Sequence, residues 1–119
     1  MAADGKQAKE PEHVTRLVAE RLNAGDIDGI AELYEDDAVI AFPPGQTTTG
    51  IDAIKALYAG IAEQGGKFPT DEEQLPTVHY GGLALTSTIS ADGKGTRTQV
   101  LRRQEDGTWK RIIDRPEVR

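Results

Sequence analysis

Elimination narrows the side chains that could do chemistry. The chain has no cysteine, so it offers no thiol nucleophile, zinc–thiolate site or disulfide framework. Its two histidines, His13 and His79, stand apart from the acidic clusters Asp36-Asp37 and Asp71-Glu72-Glu73. Adjacent carboxylates on a turn are usually solvated, and no metal site is expected. Gly-x-Gly-x-x-Gly, P-loop and Gly-x-Ser-x-Gly patterns are absent, which leaves nucleotide and serine-hydrolase chemistry without support. What remains is a carboxyl, amide and hydroxyl set on the late strands: Asp114, Gln99 and Ser87, with Arg97 close by. A carboxyl among apolar side chains is a candidate general acid or base, because desolvation opposes its ionised form.

Pairing the strands on paper brings that set together. With Asp106-Gly107 as a two-residue hairpin loop, Glu105 faces Thr108, Gln99 faces Asp114 and Leu101 faces Ile112. With Asp92-Gly93-Lys94 as a three-residue loop, Ala91 faces Gly95, Ser87 faces Gln99 and Leu85 faces Leu101. Opposed residues share a face. One face is therefore expected to carry Leu83, Leu85, Ile89, Leu101 and Ile112, crossed by the polar row Ser87–Gln99–Asp114. The other is expected to carry Thr86, Thr88, Ser90, Thr98, Val100, Arg102, Trp109, Arg111 and Ile113. The first is the more aliphatic, so helices should cover it.

Those helices come first in the chain. After Pro11, Val14, Leu17, Val18 and Leu22 follow helical spacing to Asn23. Gly25 suits a helix stop and Asp26 an N-cap. A short second helix should carry Ile27, Ile30, Ala31, Leu33 and Tyr34, before a strand over Ala38–Phe42 closed by Pro43-Pro44-Gly45. Ile51, Ile54, Leu57, Tyr58 and Ile61 form one stripe of a third helix, ended by Gly65-Gly66. The period then changes from 3.6 to 2, with strands expected at 68–79, 82–91, 95–105 and 108–115. Helices followed by an antiparallel meander make an α+β domain. Its length of 119 residues fits one domain over 10–119, with 1–9 as a flexible tail.

Charge narrows the partners. Twenty acidic against fourteen basic residues give a net charge of −6, which disfavours a nucleic-acid partner. The late basic residues read as solvated strand faces. No apolar run is long enough for a membrane span, and the opening MAADGKQAKE is not a secretory signal. A cytoplasmic protein is expected.

The segments Leu22-Asn23-Ala24-Gly25-Asp26, Leu33-Tyr34-Glu35-Asp36-Asp37-Ala38-Val39, Phe42-Pro43-Pro44-Gly45, Gly50-Ile51-Asp52-Ala53-Ile54 and Leu101–Lys110 occur in an informative order. On these, over about residues 11–115, the chain resembles the nuclear transport factor 2-like superfamily, near its SnoaL-like and ketosteroid-isomerase-like branch. The resemblance implies a cone: a curved antiparallel sheet wrapped around N-terminal helices, a pocket at the wide end, and a homodimer through the outer sheet face. It also implies what is missing. The isomerase's carboxylate base falls at Phe42, its phenol donor at Val18 and its protonated acid at Gln99, so ketosteroid isomerase activity is not expected. Asp114 falls on a last-strand position that faces the pocket in this family.

Asp114 is accordingly the expected catalytic residue. Gln99, Ser87, Arg97, Tyr34, Phe42, Tyr58, Leu85, Leu101 and Ile112 are the expected ligand pocket. The alternative for Asp114 is a structural carboxylate paired with Arg97 or Arg115 or capped by backbone; for Tyr34 and Tyr58 it is core packing. His79 is expected at a surface strand end, and Trp109 in dimer or sheet packing. Two functions follow: cofactor-free acid/base catalysis on a small apolar molecule, as in SnoaL-like cyclases and isomerases, or a non-catalytic ligand-binding or dimeric scaffold protein.

Overall fold

The computed structural model describes residues 7–118. Helix α1 (His13–Asn23) and the short α2 (Ile27–Ala31) lead into strand β1 (Tyr34–Ile40) and the two-residue β2 (Thr48–Thr49), followed by α3 (Ile51–Glu63). The meander consists of β3 (Val78–Tyr80), β4 (Leu83–Ile89), β5 (Thr96–Arg103) and β6 (Trp109–Val118). They build one curved, unclosed six-stranded sheet in the order β2-β1-β6-β5-β4-β3. Its one parallel contact is β1 with β6, made possible because the helices and meander intervene between them.

Local chemistry sets the helix boundaries. Gly25 takes φ 71° between α1 and α2, and the Asp26 carboxylate accepts a hydrogen bond from the Gly29 amide at 3.0 Å, capping α2. Val14, Leu17, Val18 and Leu22 on α1 and Ile54 on α3 are buried against the inner side of the sheet. The first nine residues do not all behave as a tail: Ala8 is buried, and its carbonyl accepts from the Trp109 amide at 3.0 Å. Residues 1–6 lie outside the described chain. No described helix is long and apolar enough to cross a membrane.

The meander departs from the expected register in two places. Between β4 and β5, Ser90 rather than Ala91 faces Gly95, the Ser90 amide donating to the Gly95 carbonyl at 2.8 Å. The loop is one residue longer because Asp92 organises it, its carboxylate accepting from Ser90 Oγ at 2.8 Å and the Lys94 amide at 2.9 Å. Ala84 therefore faces Leu101 and Thr86 faces Gln99. Ala84, Thr86, Thr88 and Ser90 turn inward and are buried, while Leu83, Leu85, Ser87 and Ile89 turn outward. A one-residue slip moves every side chain to the opposite face.

The β5–β6 turn is also one residue longer, with the Gln104 amide bonded to the Thr108 carbonyl at 2.7 Å. This places Leu101 opposite Arg111 and brings Trp109 inside, into the core. A register shift between Val100 and Leu101 then restores Gln99 opposite Asp114. Ile112 is the extra residue of that bulge. The strand expected at 68–79 is reduced to Val78–Tyr80, preceded by an isolated bridge between Gln74 and Thr88. Strand β1 starts at Tyr34, which the helical spacing had placed on α2.

Candidate functional site

The bulge in β6 creates the site. In an unbroken strand, residues three apart point to opposite faces. With Ile112 accommodated as an extra residue, Arg111 and Asp114 both point inward and form a buried ion pair, Arg111 Nη1 to Asp114 Oδ2 at 3.2 Å. The cation beside Asp114 is thus Arg111, not Arg97 or Arg115. Sequence pairing had placed Arg111 on the far face; its spacing of three from Asp114 would reveal the contact only if the bulge were known.

Asp114 collects two further donors. Gln99 Nε2 donates to Oδ1 at 3.0 Å and the Tyr34 hydroxyl to Oδ2 at 2.6 Å. A phenol has one proton. Since Tyr34 gives its own to Asp114, the 2.7 Å contact between the two tyrosine hydroxyls is Tyr58 donating to Tyr34. Arg111 Nη1 also donates to the Tyr34 oxygen at 2.9 Å, and Nη2 to Thr15 Oγ1 at 3.1 Å. Gln99 is oriented in turn by Thr86, whose hydroxyl donates to its carbonyl oxygen at 3.1 Å. A carboxylate has about four acceptor positions, so three donors leave one, on Oδ1. Arg111 Nε, also buried, has no hydrogen-bond partner.

Electrostatics fixes the phenols as neutral donors. Burial, reinforced by the negative charge of Asp114, pushes the Tyr58 hydroxyl up to about 12 and raises Tyr34 well above its ordinary value. Burial works against the Arg111 charge, but the Asp114 carboxylate and the hydrogen bond to the Tyr34 oxygen outweigh it and raise the guanidinium above its usual range.

This network borders a cavity of about 320 Å³, at the small end of small-molecule sites. Helix α1 contributes Val18, Ala19 and Leu22 to its wall, and α3 contributes Leu57, Tyr58 and Ile61. Phe42, Ile40 and Pro116 continue the apolar lining, with Phe68, Pro69 and Glu72 from the segment after α3. Of the expected pocket residues, Asp114, Gln99, Arg97, Tyr58 and Phe42 line it. Tyr34 lies behind Tyr58, fully buried on β1, and reaches the site only through its hydroxyl.

Besides Tyr34, four more expected pocket residues do not line the cavity. Ser87 and Leu85 face outward because of the longer β4–β5 turn, Leu85 being 39% exposed. Ile112 is displaced by the bulge, and Leu101 is core packing beside Ala84. Arg97 pairs with Glu72 at the rim. His79 is exposed on β3, its ring edge-on to Trp109 at 5.8 Å. Among the described residues no group of three or more His, Asp or Glu side chains could hold a metal ion.

A helix-backed curved sheet with a polar-floored cavity defines a class before any particular protein. Residues 14–112 match the SnoaL-like domain family, and the chain belongs to it. Solved structures share the nuclear transport factor 2-like, cystatin-like fold. A candidate calcium/calmodulin-dependent protein kinase type II association domain from Thiobacillus denitrificans superposes with a TM-score of 0.73 at 16% identity, covering 92% of this chain and 95% of that one. A candidate scytalone dehydratase from Novosphingobium aromaticivorans gives 0.67 at 16% identity, over 87% and 78%. A ketosteroid isomerase-like protein from Erwinia carotovora atroseptica gives 0.64 at 19% identity, over 89% and 95%. Relatives of such different description share the backbone, so function must be argued from the site.

Proposed function

We propose that this protein performs cofactor-free acid/base chemistry on a small, mostly apolar molecule carrying a carbonyl group. The observation that carries the reading is the chain of buried hydroxyls from Tyr58 on the cavity wall through Tyr34 to the Asp114 carboxylate. Asp114 Oδ1, with its remaining acceptor position, takes a proton from the carbon next to the carbonyl. The electron pair moves onto the carbonyl oxygen, which accepts a hydrogen bond from Tyr58 once that hydroxyl turns from Tyr34. Reprotonation at another carbon completes an isomerisation; loss of a leaving group completes an elimination. The substrate is uncharged, since the charges on the wall are already paired as Arg111–Asp114 and Arg97–Glu72.

The Arg111–Asp114 pair favours a second reading, a non-catalytic binding protein whose polar floor only orients its ligand. One experiment separates them. The protein is incubated with 1-tetralone, a neutral two-ring ketone, in D₂O, and loss of the protons beside the carbonyl is followed by NMR. Catalysis accelerates the loss, and Asp114→Asn abolishes the acceleration. Binding without accelerated exchange supports the second reading. Absence of both, for this ketone and a one-ring analogue, refutes the proposal.

The partner we propose is a second copy of this chain on the outer sheet face. The observed register aligns Val78, Leu85, Val100, Ile113 and Val39 in one apolar row across five strands. Val78 is 59% and Ile113 51% exposed, an apolar stripe of the kind that marks interfaces. The absence of cysteine fits a reducing compartment, and we place the protein in the cytoplasm.

A further inference from the structure

We infer that residues 65–72 form a gate over the cavity, hinged at Gly65-Gly66 and latched by Glu72 on Arg97. The segment supplies one wall through Phe68, Pro69 and Glu72. Apart from Phe42, which is exposed in the loop after β1, the other wall residues lie on α1, α3, β1, β5 and β6, which cannot move without loss of tertiary packing. Residues 65–72 contain no helix or strand, and Phe68 is their one hydrophobic residue packed against the core. Little apolar burial opposes lifting them, which places the segment at the low end of local stability.

Its two ends differ in mobility. Gly65 and Gly66 have φ of 70° and 102° with nothing within 4 Å of either would-be Cβ, so the backbone can swing there. Beyond residue 72 the chain is pinned to β4: the Ile89 amide donates to the Glu73 carbonyl at 2.8 Å and the Leu75 amide to the Ser87 carbonyl at 2.9 Å. Between hinge and pin, two polar clasps hold the arm down. Asn23 makes a reciprocal pair with the Phe68 backbone, Nδ2 to the carbonyl at 3.0 Å and Oδ1 from the amide at 2.8 Å. Glu72 accepts from Arg97 through Oε1 and from the Ala91 amide at 2.8 Å through Oε2. Both members of the Glu72–Arg97 pair line the cavity, so the latch stands where an entering ligand passes. The gate rests on the reading of the cavity as a ligand site only for what passes through it; its opening is measured without ligand.

The test is amide exchange followed by NMR on the full chain. The Phe68 amide, bonded only when the arm is down, should exchange through local opening at rates insensitive to low denaturant. Strand amides such as Val100 should follow global unfolding. Glu72→Gln removes the charge of the latch and should speed Phe68 exchange about ten-fold or more while leaving Val100 unchanged. If the Phe68 amide instead exchanges only with the strands, or Glu72→Gln leaves its rate unaltered, the segment is a fixed wall and the gate is refuted.

Discussion

Asp114→Asn keeps the size of the side chain and removes its charge, and its consequence can be worked from the structure. Arg111 and Asp114 side chains are 4% and 5% exposed. The substitution leaves the guanidinium buried with only the Tyr34 oxygen and Thr15 Oγ1 as acceptors of its original set. Breaking a buried pair from one side costs about 3–5 kcal/mol, because the survivor is uncompensated. For a chain of 119 residues, an unfolding entropy of about 2.1 cal/mol/K per residue gives about 0.25 kcal/mol per degree. The melting temperature should therefore fall by about 12–20 °C, read by circular dichroism at neutral pH. Adding Arg111→Met should recover part of the loss, since the double variant has no stranded charge. A single variant melting within about 3 °C of the parent, or a double variant melting no higher than the single one, would refute the reasoning. The drop itself does not choose between catalysis and binding, because Arg111 is stranded under either; α-proton exchange makes that choice.

Alkaline stability provides a second check. Tyr58 sits near 12 when folded against about 10 unfolded, so the unfolded chain loses that proton first and stability falls as pH rises from about 10 towards 12. Melts between pH 9 and about 11.5 should therefore be flatter for Tyr58→Phe than for the parent. In the monomeric Ile113→Lys background, Leu101→Ala, at a fully buried site, should cost about 2–5 kcal/mol in chemical denaturation, whereas Leu85→Ala on the outer face should stay within about 1 kcal/mol; equal losses would contradict the observed register. Ile113→Lys should convert a dimer of about 26 kDa, twice the 12.9 kDa chain, into a monomer by analytical ultracentrifugation, and a parent sedimenting as a monomer at tens of micromolar would exclude the outer-face dimer.

Helices α1 and α3 were legible because their apolar residues keep a 3.6 period and glycines mark their ends. Strand existence was legible from the Gly-Gly and Asp-Gly turns. The faces were not. Binary patterning assigns the aliphatic residues of β4 to the core, but that inference assumes one buried face. Here Leu83 and Leu85 face out beside Val100 and Ile113, and the inner positions Ala84, Thr86 and Thr88 are small. Loop side chains also mattered: Asp92 lengthened one turn by a residue, which inverted the face of a whole strand. Tyr34 was misplaced for a similar reason. Leu33 and Tyr34 continue the helical spacing of α2, but the Leu33 carbonyl accepts from the Arg111 amide at 2.8 Å, so pairing with β6 begins there.

The pairing of Gln99 with Asp114 was anticipated through two errors that cancel, and the cancellation is informative. The longer β5–β6 turn shifts the register one way and the Ile112 bulge shifts it back. Between them they deliver what neither a regular strand nor a bulge elsewhere would provide: a cation and an anion three residues apart on one face. Fold stability does not demand this, because apolar residues of similar volume serve a core as well as a buried ion pair or better. Nor does pairing alone require two phenols with a shared hydrogen bond, one of them on the cavity wall. Bulges recur where a side chain is re-aimed next to a site. The residue re-aimed here is Asp114, and the position it reaches combines a free acceptor lobe on Oδ1 with a neutral phenol donor at the edge of an apolar cavity.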